Sequence, residues 1–281
     1  MDNWSGSEYS MDKRGLAEKL AALCAEAGVA IVEIYNSTQP VDVEYKSDAS
    51  PLTEADKRAH DIIVSGLHAM TPAWPILSEE QDLPDFERRN NWGTYWLVDP
   101  MDGTREFVER TGQFTVNVAL IEQGVATLGV VYLPVEKTAY IGIPEQAFAV
   151  KVDNGKTTPL RVSTVQRSVP VTVLSSSRYQ GGNLECCMLR LTTHFGDIER
   201  LQAGSALKFC YLAEGRGDIY PRFSPCCEWD TAAGQAVLEG AGGSLVDLDF
   251  NPLRYNQQQS VMSPNFYGLG RTGTNWKEIL S

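Results

Sequence analysis

Long apolar runs are missing from this 281-residue chain, and no stretch approaches the roughly 20 residues that are needed to span a bilayer. The opening stretch, MDNWSGSEYSMDK, also lacks the basic and apolar regions of a secretory signal. We therefore expect a cytoplasmic protein without a transmembrane segment, although the sequence leaves open a peripheral association with the inner face of the membrane. Residues 1–12 are polar and aperiodic, which predicts a loose N-terminal extension.

Positive charge is scarce, since 24 Lys and Arg residues stand against 36 Asp and Glu residues and the formal net charge is -12. Proteins that coat nucleic acid carry clustered Lys and Arg to displace phosphate counterions, so we expect no nucleic acid polymer as a partner. A protein with a negative net charge can still bind a small phosphorylated substrate, because metal ions or a local group of donors make the potential inside one cleft positive.

Histidine is also rare, and the three present, His60, His68 and His194, form no convincing Ser/His/Asp or Cys/His set. The six cysteines include adjacent pairs at 186–187 and 226–227 but lack the paired short spacings of a structural zinc site. We therefore expect reduced thiols and a reaction that needs no nucleophile from the protein.

The first half of the chain predicts two helices followed by strands. Apolar residues recur at helical spacing over 15–35 and again over 53–70. Six strand-like segments follow, separated by turn signals such as Asn154-Gly155, which is typical of a hairpin. Two helices followed by an antiparallel meander predict an α+β half over 13–160.

Strands and helices alternate after residue 160, which predicts a mixed sheet with helices on its faces over 161–281. No internal repeat, low-complexity tract or clear linker interrupts the chain. We therefore expect this α/β half to pack tightly on the first, with a functional site between the two.

The stretch YWLVDPMDGTREF, residues 95–107, places two aspartates three residues apart directly after an apolar run. Asp99 precedes a proline, which favours an extended backbone and predicts that its side chain projects from the end of a strand. Gly103 permits a turn that most residues resist, and Thr104 opens a segment with free N–H groups, so the stretch suits both Mg²⁺ and a phosphate. A type I turn whose amides are satisfied by Asp99 and Asp102 explains it equally well when it is taken alone.

Three further acidic residues have both a structural and a chemical interpretation. Glu79 follows an apolar strand-like run, where an acidic residue usually lies in a solvated loop; Asp230 stands at a predicted helix start, where an N-cap is common. Asp56 has the spacing of a capping box with Thr53. If Glu79 and Asp230 share one cleft with the DPMDGT aspartates, the buried charges require cations, and Mg²⁺ supplies them. This combination predicts metal-assisted hydrolysis of a phosphomonoester.

Four motifs in this order, SPLTEAD, LSEE, WLVDPMDGT and WDTAAG, resemble those of the inositol monophosphatase superfamily of lithium-sensitive, magnesium-dependent phosphatases. Stretches such as GSALKFCYLAEG and DIYPRF are similar to its CysQ-type 3'(2'),5'-bisphosphate nucleotidase branch, and the resemblance covers about residues 13–268. It implies an αβαβα layered sandwich with a metal-binding half over 13–160 and a substrate-specificity half over 161–281, in agreement with the two-part pattern.

The resemblance also implies roles for individual residues. Asp56 and the Thr104 hydroxyl would form a dyad that, together with Glu79, orients and deprotonates the attacking water. The amides of Gly103 and Thr104 would hold the phosphate. The implied ligands of two or three Mg²⁺ ions are Glu79, Asp99, the Met101 carbonyl, Asp102 and Asp230.

The prediction of a nucleotide substrate rests on residues in the second half of the chain. Lys208 and Arg222 would supply fixed cations for a phosphate that is not cleaved, although a helix-face lysine and a strand-end arginine in solvent explain them too. Arg105 and Arg178 depart from the expected pattern, where a lysine and a histidine are usual, and their contacts stay open. The implied substrate-binding residues are Asp102, Gly103, Thr104, Gly204, Ser205, Lys208, Arg222 and Asp230.

We therefore expect the hydrolysis of 3'-phosphoadenosine 5'-phosphate to AMP and phosphate, which removes a by-product of sulfate activation and transfer. The sulfated analogue is a further expected substrate. One alternative is an inositol monophosphatase or another sugar phosphatase with the same metal site. A catalytically silent regulator that binds metal or nucleotide is another, although no implied ligand carboxylate is missing. The sequence gives no oligomeric state.

Overall fold

Helices and β-sheets alternate in five layers through this protein. The structure is a computed structural model, and it describes residues 12–37, 43–45, 51–164, 170–176 and 181–281. Helices cover the outer face of a seven-stranded sheet, fill the space between it and a five-stranded sheet, and cover the outer face of the second sheet. The predicted αβαβα layered sandwich is confirmed. Arg178 and residues 1–11 lie outside the described residues.

The helices are α1 Lys13–Tyr35, α2 Glu54–Met70, α3 Phe86–Arg89, α4 Thr104–Val108, α5 Gly182–Phe195, α6 Leu207–Ala213, α7 Ala232–Gly240 and α8 Trp276–Leu280, with 3-10 turns at Pro144–Gln146 and Glu228–Asp230. The strands are β1 Val43–Tyr45, β2 Pro51–Thr53, β3 Ile76–Ser78, β4 Thr94–Asp102, β5 Thr115–Glu122, β6 Val125–Leu133, β7 Thr138–Ile143, β8 Phe148–Asp153, β9 Lys156–Pro159, β10 Val171–Ser175, β11 Ile198–Gln202, β12 Ile219–Arg222, β13 Ser244–Asp247 and β14 Phe266–Leu269. Among the described helices, we find none whose length and apolar character would let it cross a bilayer.

Both predicted N-terminal helices are present, and each begins at a residue that satisfies free N–H groups. Asp12 accepts hydrogen bonds from the amides of Arg14 and Gly15 at the start of α1. Thr53 begins α2 through a capping box with Asp56, as its spacing predicts. The apolar faces of the two helices pack on one face of the seven-stranded sheet and form a core there.

The seven-stranded sheet has the order β3, β4, β5, β6, β7, β8, β9, and the predicted meander is confirmed. Only β3 and β4 are parallel among these described neighbours, and the other pairs are antiparallel. The Gln123-Gly124 and Asn154-Gly155 pairs have positive φ angles and form the tight turns that their sequences predict. The sequence did not predict β9, which follows the second of these turns.

The five-stranded sheet has the order β11, β10, β12, β14, β13, with both parallel and antiparallel pairs. The predicted mixed sheet is confirmed, and α5 and α8 pack on its outer face. The sequence did not predict β14 or α8, since both are short and lie beyond the alternating pattern. The boundary at residue 160 stays a prediction.

The helix α7 lies between the two sheets and sets how closely they approach. A Cβ atom at Gly129 of β6 or at Gly142 of β7 would overlap the carbonyl oxygens of Ala233 and Ala236, so glycine is required at both positions. The apolar core between the sheets therefore contains residues from both halves of the chain. The turn before α7, which carries Asp230, contacts β4 and β5 and meets the DPMDGT stretch there.

Candidate active site

Asp99 and Asp102 lie on β4, which does not end at Asp99 as the sequence predicted. The strand continues through Pro100, and a β-bulge separates Asp99, which pairs with Asn117, from Asp102, which pairs with Thr115. Proline has no N–H for the ladder, and a bulge accommodates it. Residues three apart face opposite sides of a regular strand, so the extra residue turns both carboxylates to one face.

The carboxylate of Asp99 divides its two oxygens between different environments. Its Oδ1 accepts the N–H of Met101 at 3.0 Å, which is the turn hydrogen bond that the structural interpretation requires. Its Oδ2 is buried and has no hydrogen-bond partner among the described residues. Local structure therefore accounts for the hydrogen bond of Oδ1, whereas Oδ2 is available to a ligand.

Gly103 and Thr104 form the turn that follows the bulge. Gly103 has a φ of 96°, and Thr104 begins the short helix α4. A side chain at Gly103 would also press on the backbone of Gln113 and Phe114, which gives a second reason for glycine. The Met101 carbonyl lies 3.5 Å from the Thr104 hydroxyl, so the predicted ligand and the predicted catalytic hydroxyl are neighbours.

Glu79 is brought beside Asp99 by the parallel pairing of β3 with β4. Ser78 pairs with Val98, and the Glu79 N–H donates to the Val98 carbonyl at 3.1 Å. Parallel strands run in the same direction, so the residues that follow paired positions are neighbours. Glu79 is half-buried there and does not lie in a solvated loop.

Asp230 reaches the same place from the second half of the chain. It is the last residue of a 3-10 turn, and α7 begins at Ala232 with Thr231 as its N-cap, so the N-cap interpretation of Asp230 is wrong. Its Oδ2 accepts the N–H of Cys227 at 2.8 Å. This hydrogen bond holds the carboxylate on the turn that faces β4.

The carboxylates of Glu79, Asp99 and Asp230 each place one oxygen within 4.8 Å of the other two, and Asp102 borders the same cleft. Burial, reinforced by Glu79 and Asp102, raises the pKa of Asp99 well above its ordinary value. Burial, with Asp102 and Glu79, likewise raises the pKa of Asp230 to about 8. Burial raises the pKa of Asp102 to about 6, although Lys208 opposes the shift.

This cluster fits a hard divalent cation. Carboxylate and carbonyl oxygens are the ligands that Mg²⁺ prefers, and the unpartnered Oδ2 of Asp99 lies among them. The raised pKa values of Asp99 and Asp230 point the same way, because a bound cation favours the ionised form that burial and the neighbouring carboxylates disfavour. The donor set and its electrostatics therefore both call for positive charge.

Asp56 and Thr104 meet beside the cluster, and Asp56 also forms the predicted capping box. Thr104 Oγ1 donates to Asp56 Oδ1 at 3.2 Å, while Asp56 Oδ2 accepts the N–H and the hydroxyl of Thr53 at 2.7 and 2.6 Å. The capping box and the predicted dyad thus use different oxygens of one carboxylate. Burial raises the pKa of Asp56, and the hydrogen bonds from Thr53 and Thr104 oppose that shift.

A cavity of about 320 Å³ extends from the acidic cluster to the five-stranded sheet. Gly204 and Ser205, both predicted as substrate contacts, line it, and the Gly204 N–H donates to Gln113 Oε1 at 2.8 Å. Three carboxylates and three cations share its wall: Asp102, Glu106, Asp230, Arg105, Lys208 and Arg222. The cavity therefore brings positive charge close to Asp102 and Asp230.

Lys208 is buried in this cavity wall, so the interpretation as a solvent-facing lysine is wrong. Its Nζ donates to the carbonyls of Ala203 and Ser205 at 3.1 and 2.8 Å and lies 5.1 Å from the centre of the Tyr220 ring. Burial lowers its pKa to about 8, although Asp102 favours the charged form. These contacts fix the ammonium group at the cavity.

Arg222 is also fixed, at the end of β12. Its guanidinium donates to the carbonyls of Ser224 and Pro225 at 3.1 and 3.0 Å and to the Tyr220 hydroxyl at 3.2 Å. Three different nitrogens make these bonds, so the plane of the group is set before any substrate enters. The interpretation as a free strand-end arginine is therefore wrong.

Sequence reasoning missed the aromatic wall of the cavity, which is formed by Phe209, Tyr220 and Phe266. Phe209 and Phe266 stack with ring centroids 5.8 Å apart, and Tyr220 meets Phe266 edge-on at 5.4 Å. In the sequence these residues occupy ordinary apolar positions of a helix and two strands, which core residues also occupy. No local signal distinguishes them, because the cavity arises from the packing of distant elements.

The metal-free protein is expected to lose stability as the pH rises from about 5 to about 7.5. The pKa values of Asp102 and Asp230 are about 6 and about 8 in the folded protein, whereas an unfolded chain has an aspartate pKa of about 3.9. The folded state keeps protons that the unfolded state has released, so stability falls until the pH passes the folded pKa. Lys208, with a pKa of about 8, is charged in both states below that pH.

Thermal midpoints in EDTA at several pH values test this expectation. Asp230→Asn should flatten the dependence on pH, because it removes the group whose pKa is about 8. Saturating Mg²⁺ should flatten it in the unaltered protein. Identical pH dependence in the two metal-free proteins would show that Asp230 does not carry the effect.

Comparisons with known proteins agree with this geometry. The model of the inositol monophosphatase family matches residues 12–278. The 3'(2'),5'-bisphosphate nucleotidase CysQ of Escherichia coli strain K12 is 41% identical over 251 residues, which cover 89% of this chain and 98% of the relative. The protein of the same name from Haemophilus influenzae is 31% identical over 265 residues, or 94% of this chain and 96% of the relative.

Solved structures show the same fold. The crystal structure of CysQ from Bacteroides thetaiotaomicron, a bacterial member of the inositol monophosphatase family, matches with a TM-score of 0.79 and 33% identity over 91% of this chain and 97% of that one. The Thermotoga maritima inositol monophosphatase matches with a TM-score of 0.73 over 96% of each chain. At 22% identity, this second likeness concerns the fold alone.

Proposed function

The chain belongs to the inositol monophosphatase family, and we propose that it removes the 3'-phosphate of 3'-phosphoadenosine 5'-phosphate at a magnesium site, giving AMP and phosphate. Its relatives named 3'(2'),5'-bisphosphate nucleotidase align with most of the chain. The chain is accordingly a phosphatase whose substrate is a small phosphorylated nucleotide. The sulfated analogue of this nucleotide is a second proposed substrate.

The observation that carries the proposal is the convergence of Glu79, Asp99 and Asp230, which come from three separate segments of the chain. With the Met101 carbonyl and Asp102 they supply the ligands of two or three Mg²⁺ ions in this proposal. Bound Mg²⁺ neutralises the carboxylates, lowers the pKa of a water molecule and stabilises the departing oxygen. Without a cation, four carboxylates in one cleft are neutralised by protons instead, as the raised pKa values of Asp99 and Asp230 show.

Thr104 and Asp56 receive the proton of the attacking water. The water donates to Thr104 Oγ1 while the Thr104 proton moves to Asp56 Oδ1, which lies 3.2 Å away. Thr53 holds the other oxygen of Asp56, so the carboxylate keeps its orientation during the transfer. Glu79 orients the same water, and the activated oxygen attacks phosphorus as the bond to the ribose oxygen breaks. The amides of Gly103 and Thr104 hold the phosphate.

The other end of the substrate is assigned to the cavity beyond Asp102. Lys208 and Arg222 stand in its wall and bind the 5'-phosphate, which is not cleaved and requires cations outside the metal cluster. Gly204 and Ser205 approach the nucleoside from the loop before α6. Both cations are held by protein carbonyls in advance, so little order is lost when the phosphate binds.

A phosphate-release assay over a panel of phosphomonoesters tests this function. The panel contains 3'-phosphoadenosine 5'-phosphate, its sulfated analogue, 3'-AMP and inositol 1-phosphate, each with and without Mg²⁺. We expect magnesium-dependent release with a preference for the bisphosphorylated nucleotide. A preference for inositol 1-phosphate would support the sugar phosphatase alternative. No release from any ester would support the alternative of a catalytically silent regulator.

Replacing Lys208 by Gln is expected to lower kcat/KM for 3'-phosphoadenosine 5'-phosphate by about 10- to 100-fold, since a hydrogen bond to a charged group contributes about 1.5–3 kcal/mol. Arg222→Gln should have a similar effect. Turnover of 3'-AMP, which has no 5'-phosphate, should change little in either variant. Steady-state kinetics with the two substrates measure the difference.

Lys57→Gln is the matched control for these two variants, because the Lys57 side chain is 43% exposed on α2 and pairs with Glu44 outside the cavity. This substitution should leave kcat/KM unchanged for both substrates. Since Lys208 is buried, thermal midpoints are measured alongside the rates. An equal loss with both nucleotides in the Lys208 and Arg222 variants would place the 5'-phosphate elsewhere.

A further inference from the structure

Two buried polar side chains on β5 face the two aspartates of β4. Asn117 is 1% exposed and pairs with Asp99, and Thr115 is 0% exposed and pairs with Asp102. Side chains at directly opposed positions of an antiparallel pair lie on the same face, with Cβ atoms about 4.5–5.5 Å apart. Asn117 and Thr115 therefore stand beside the acidic cluster, on the side of the sheet that faces α7.

The polar atoms of these side chains have no hydrogen-bond partner among the described residues. This holds for both the nitrogen and the oxygen of the Asn117 amide and for the Thr115 hydroxyl. On the paired Asp99, Oδ2 also has no hydrogen-bond partner among the described residues. Buried polar groups are paired in the great majority of cases, so several unpaired groups at one place require an explanation.

The rest of this strand face shows that polarity is not needed for packing. Ala119 and Ile121 lie on the same face of β5, two and four residues beyond Asn117, and belong to the apolar core between the sheets. Val116 and Val118 face the other side and pack in the core beneath α1 and α2. The face becomes polar only where β4 bulges and presents its two carboxylates.

We propose that Asn117 and Thr115 are positioning residues of the metal centre, Asn117 orienting the carboxylate of Asp99 and Thr115 that of Asp102. The inference rests on the proposed function, in which these aspartates are metal ligands. Carboxylate ligands are commonly held by hydrogen bonds from an outer shell of residues, and those residues strengthen metal binding. Here the bulge places one neutral donor opposite each ligand.

Binding of Mn²⁺ to the metal-free protein, measured by titration calorimetry, tests the proposal without relying on catalysis. Asn117→Leu and Thr115→Val keep the number and branching of the heavy atoms of each side chain and remove its polar atoms. Each should weaken Mn²⁺ binding by about 10- to 100-fold, the usual effect of losing an outer-shell partner. The thermal midpoint in EDTA should stay the same or rise, because an unpaired buried polar group is replaced by an apolar one.

Two further variants separate this role from a merely structural one. Thr115→Ser keeps the hydroxyl and should bind Mn²⁺ nearly as well as the unaltered protein. Tyr95→Phe removes another buried, unpartnered hydroxyl from β4 and should leave Mn²⁺ binding unchanged, since Tyr95 lies four residues before Asp99.

Unchanged Mn²⁺ affinity in Asn117→Leu and Thr115→Val would overturn the inference, and the proposed function would stand. A lower thermal midpoint in EDTA with unchanged affinity would overturn it as well, because it would reveal a structural partner within the protein. If the unaltered protein and Asp99→Asn both fail to bind Mn²⁺, the metal site and the inference fall together.

Discussion

Asp230→Asn is expected to lower magnesium-dependent phosphate release by more than about 100-fold, because even the outer-shell partners of metal ligands are worth about 10- to 100-fold. Asp230 provides the carboxylate that the second half of the chain contributes to the cluster with Glu79 and Asp99. Asparagine keeps the shape of the side chain but not its charge. The measurement is the rate of phosphate release at saturating Mg²⁺.

The same substitution is expected to stabilise the metal-free protein. Burial and the neighbouring charges of Asp102 and Glu79 raise the pKa of Asp230 to about 8, so its ionisation opposes folding at neutral pH. The folded protein must keep this carboxyl mostly protonated at neutral pH, whereas the unfolded chain releases the proton, and asparagine removes that cost. The thermal midpoint in EDTA should therefore rise while the activity disappears. Substitutions at functional sites commonly lower the activity of a protein while they raise its stability.

Asp197→Asn serves as the control for Asp230→Asn, because Asp197 is an exposed aspartate of the same half of the chain. Its rate and midpoint should match those of the unaltered protein. Near-normal magnesium-dependent turnover by Asp230→Asn would remove Asp230 from the metal site. A lower midpoint in EDTA would show that the contacts of Asp230 stabilise the metal-free protein by more than its raised pKa destabilises it.

The acidic residues of this site were predictable from residue types, but their geometry was not. The spacing of Asp99 and Asp102 identifies a pair of carboxylates, whereas in a regular strand the two would face opposite sides. The bulge that turns them together depends on Pro100 and on pairing with Asn117 and Thr115, which lie 18 and 13 residues after Asp99 and Asp102 in the chain. A local pattern holds no information about that partner strand.

For the fold as well, the features that depend on neighbouring residues were predictable, and those that depend on distant residues were not. The start of α2 at Thr53 and the turn at Asn154-Gly155 depend on neighbouring residues, and both were predicted correctly. The position of α7 between two sheets depends on Gly129 and Gly142, which belong to other strands. Sequence patterns therefore indicated the elements, while their contacts required the structure.

Lys208 shows why the surroundings of the cavity were harder to predict than the acidic cluster. A lysine in a helical pattern is exposed in most proteins, and its four-carbon stem reaches solvent easily. Here the carbonyls of Ala203 and Ser205 hold its ammonium group in the cavity. Those carbonyls belong to a loop whose path no residue pattern specifies.

Asp56→Asn is expected to reduce kcat by about 10²- to 10⁴-fold, the usual contribution of a general base. The substitution leaves a neutral amide beside Thr104 Oγ1, and an amide does not accept the proton of the attacking water. Mn²⁺ binding should persist, because Asp56 is not among the proposed ligands. Thr104→Val should also reduce kcat strongly, whereas Thr104→Ser, which keeps the hydroxyl, should retain much of the activity.

Thr53→Ala separates catalysis from helix capping, because it acts on the other oxygen of the same carboxylate. Losing an N-cap costs about 0.5–2 kcal/mol of stability. The thermal midpoint of Thr53→Ala should therefore fall, while its kcat stays far above that of Asp56→Asn. If the two variants lose activity equally and in proportion to their lost stability, Asp56 serves the helix and not the reaction. A large kcat loss in Asp56→Asn beside a stability loss no greater than that of Thr53→Ala assigns Oδ1 to proton transfer and Oδ2 to the cap.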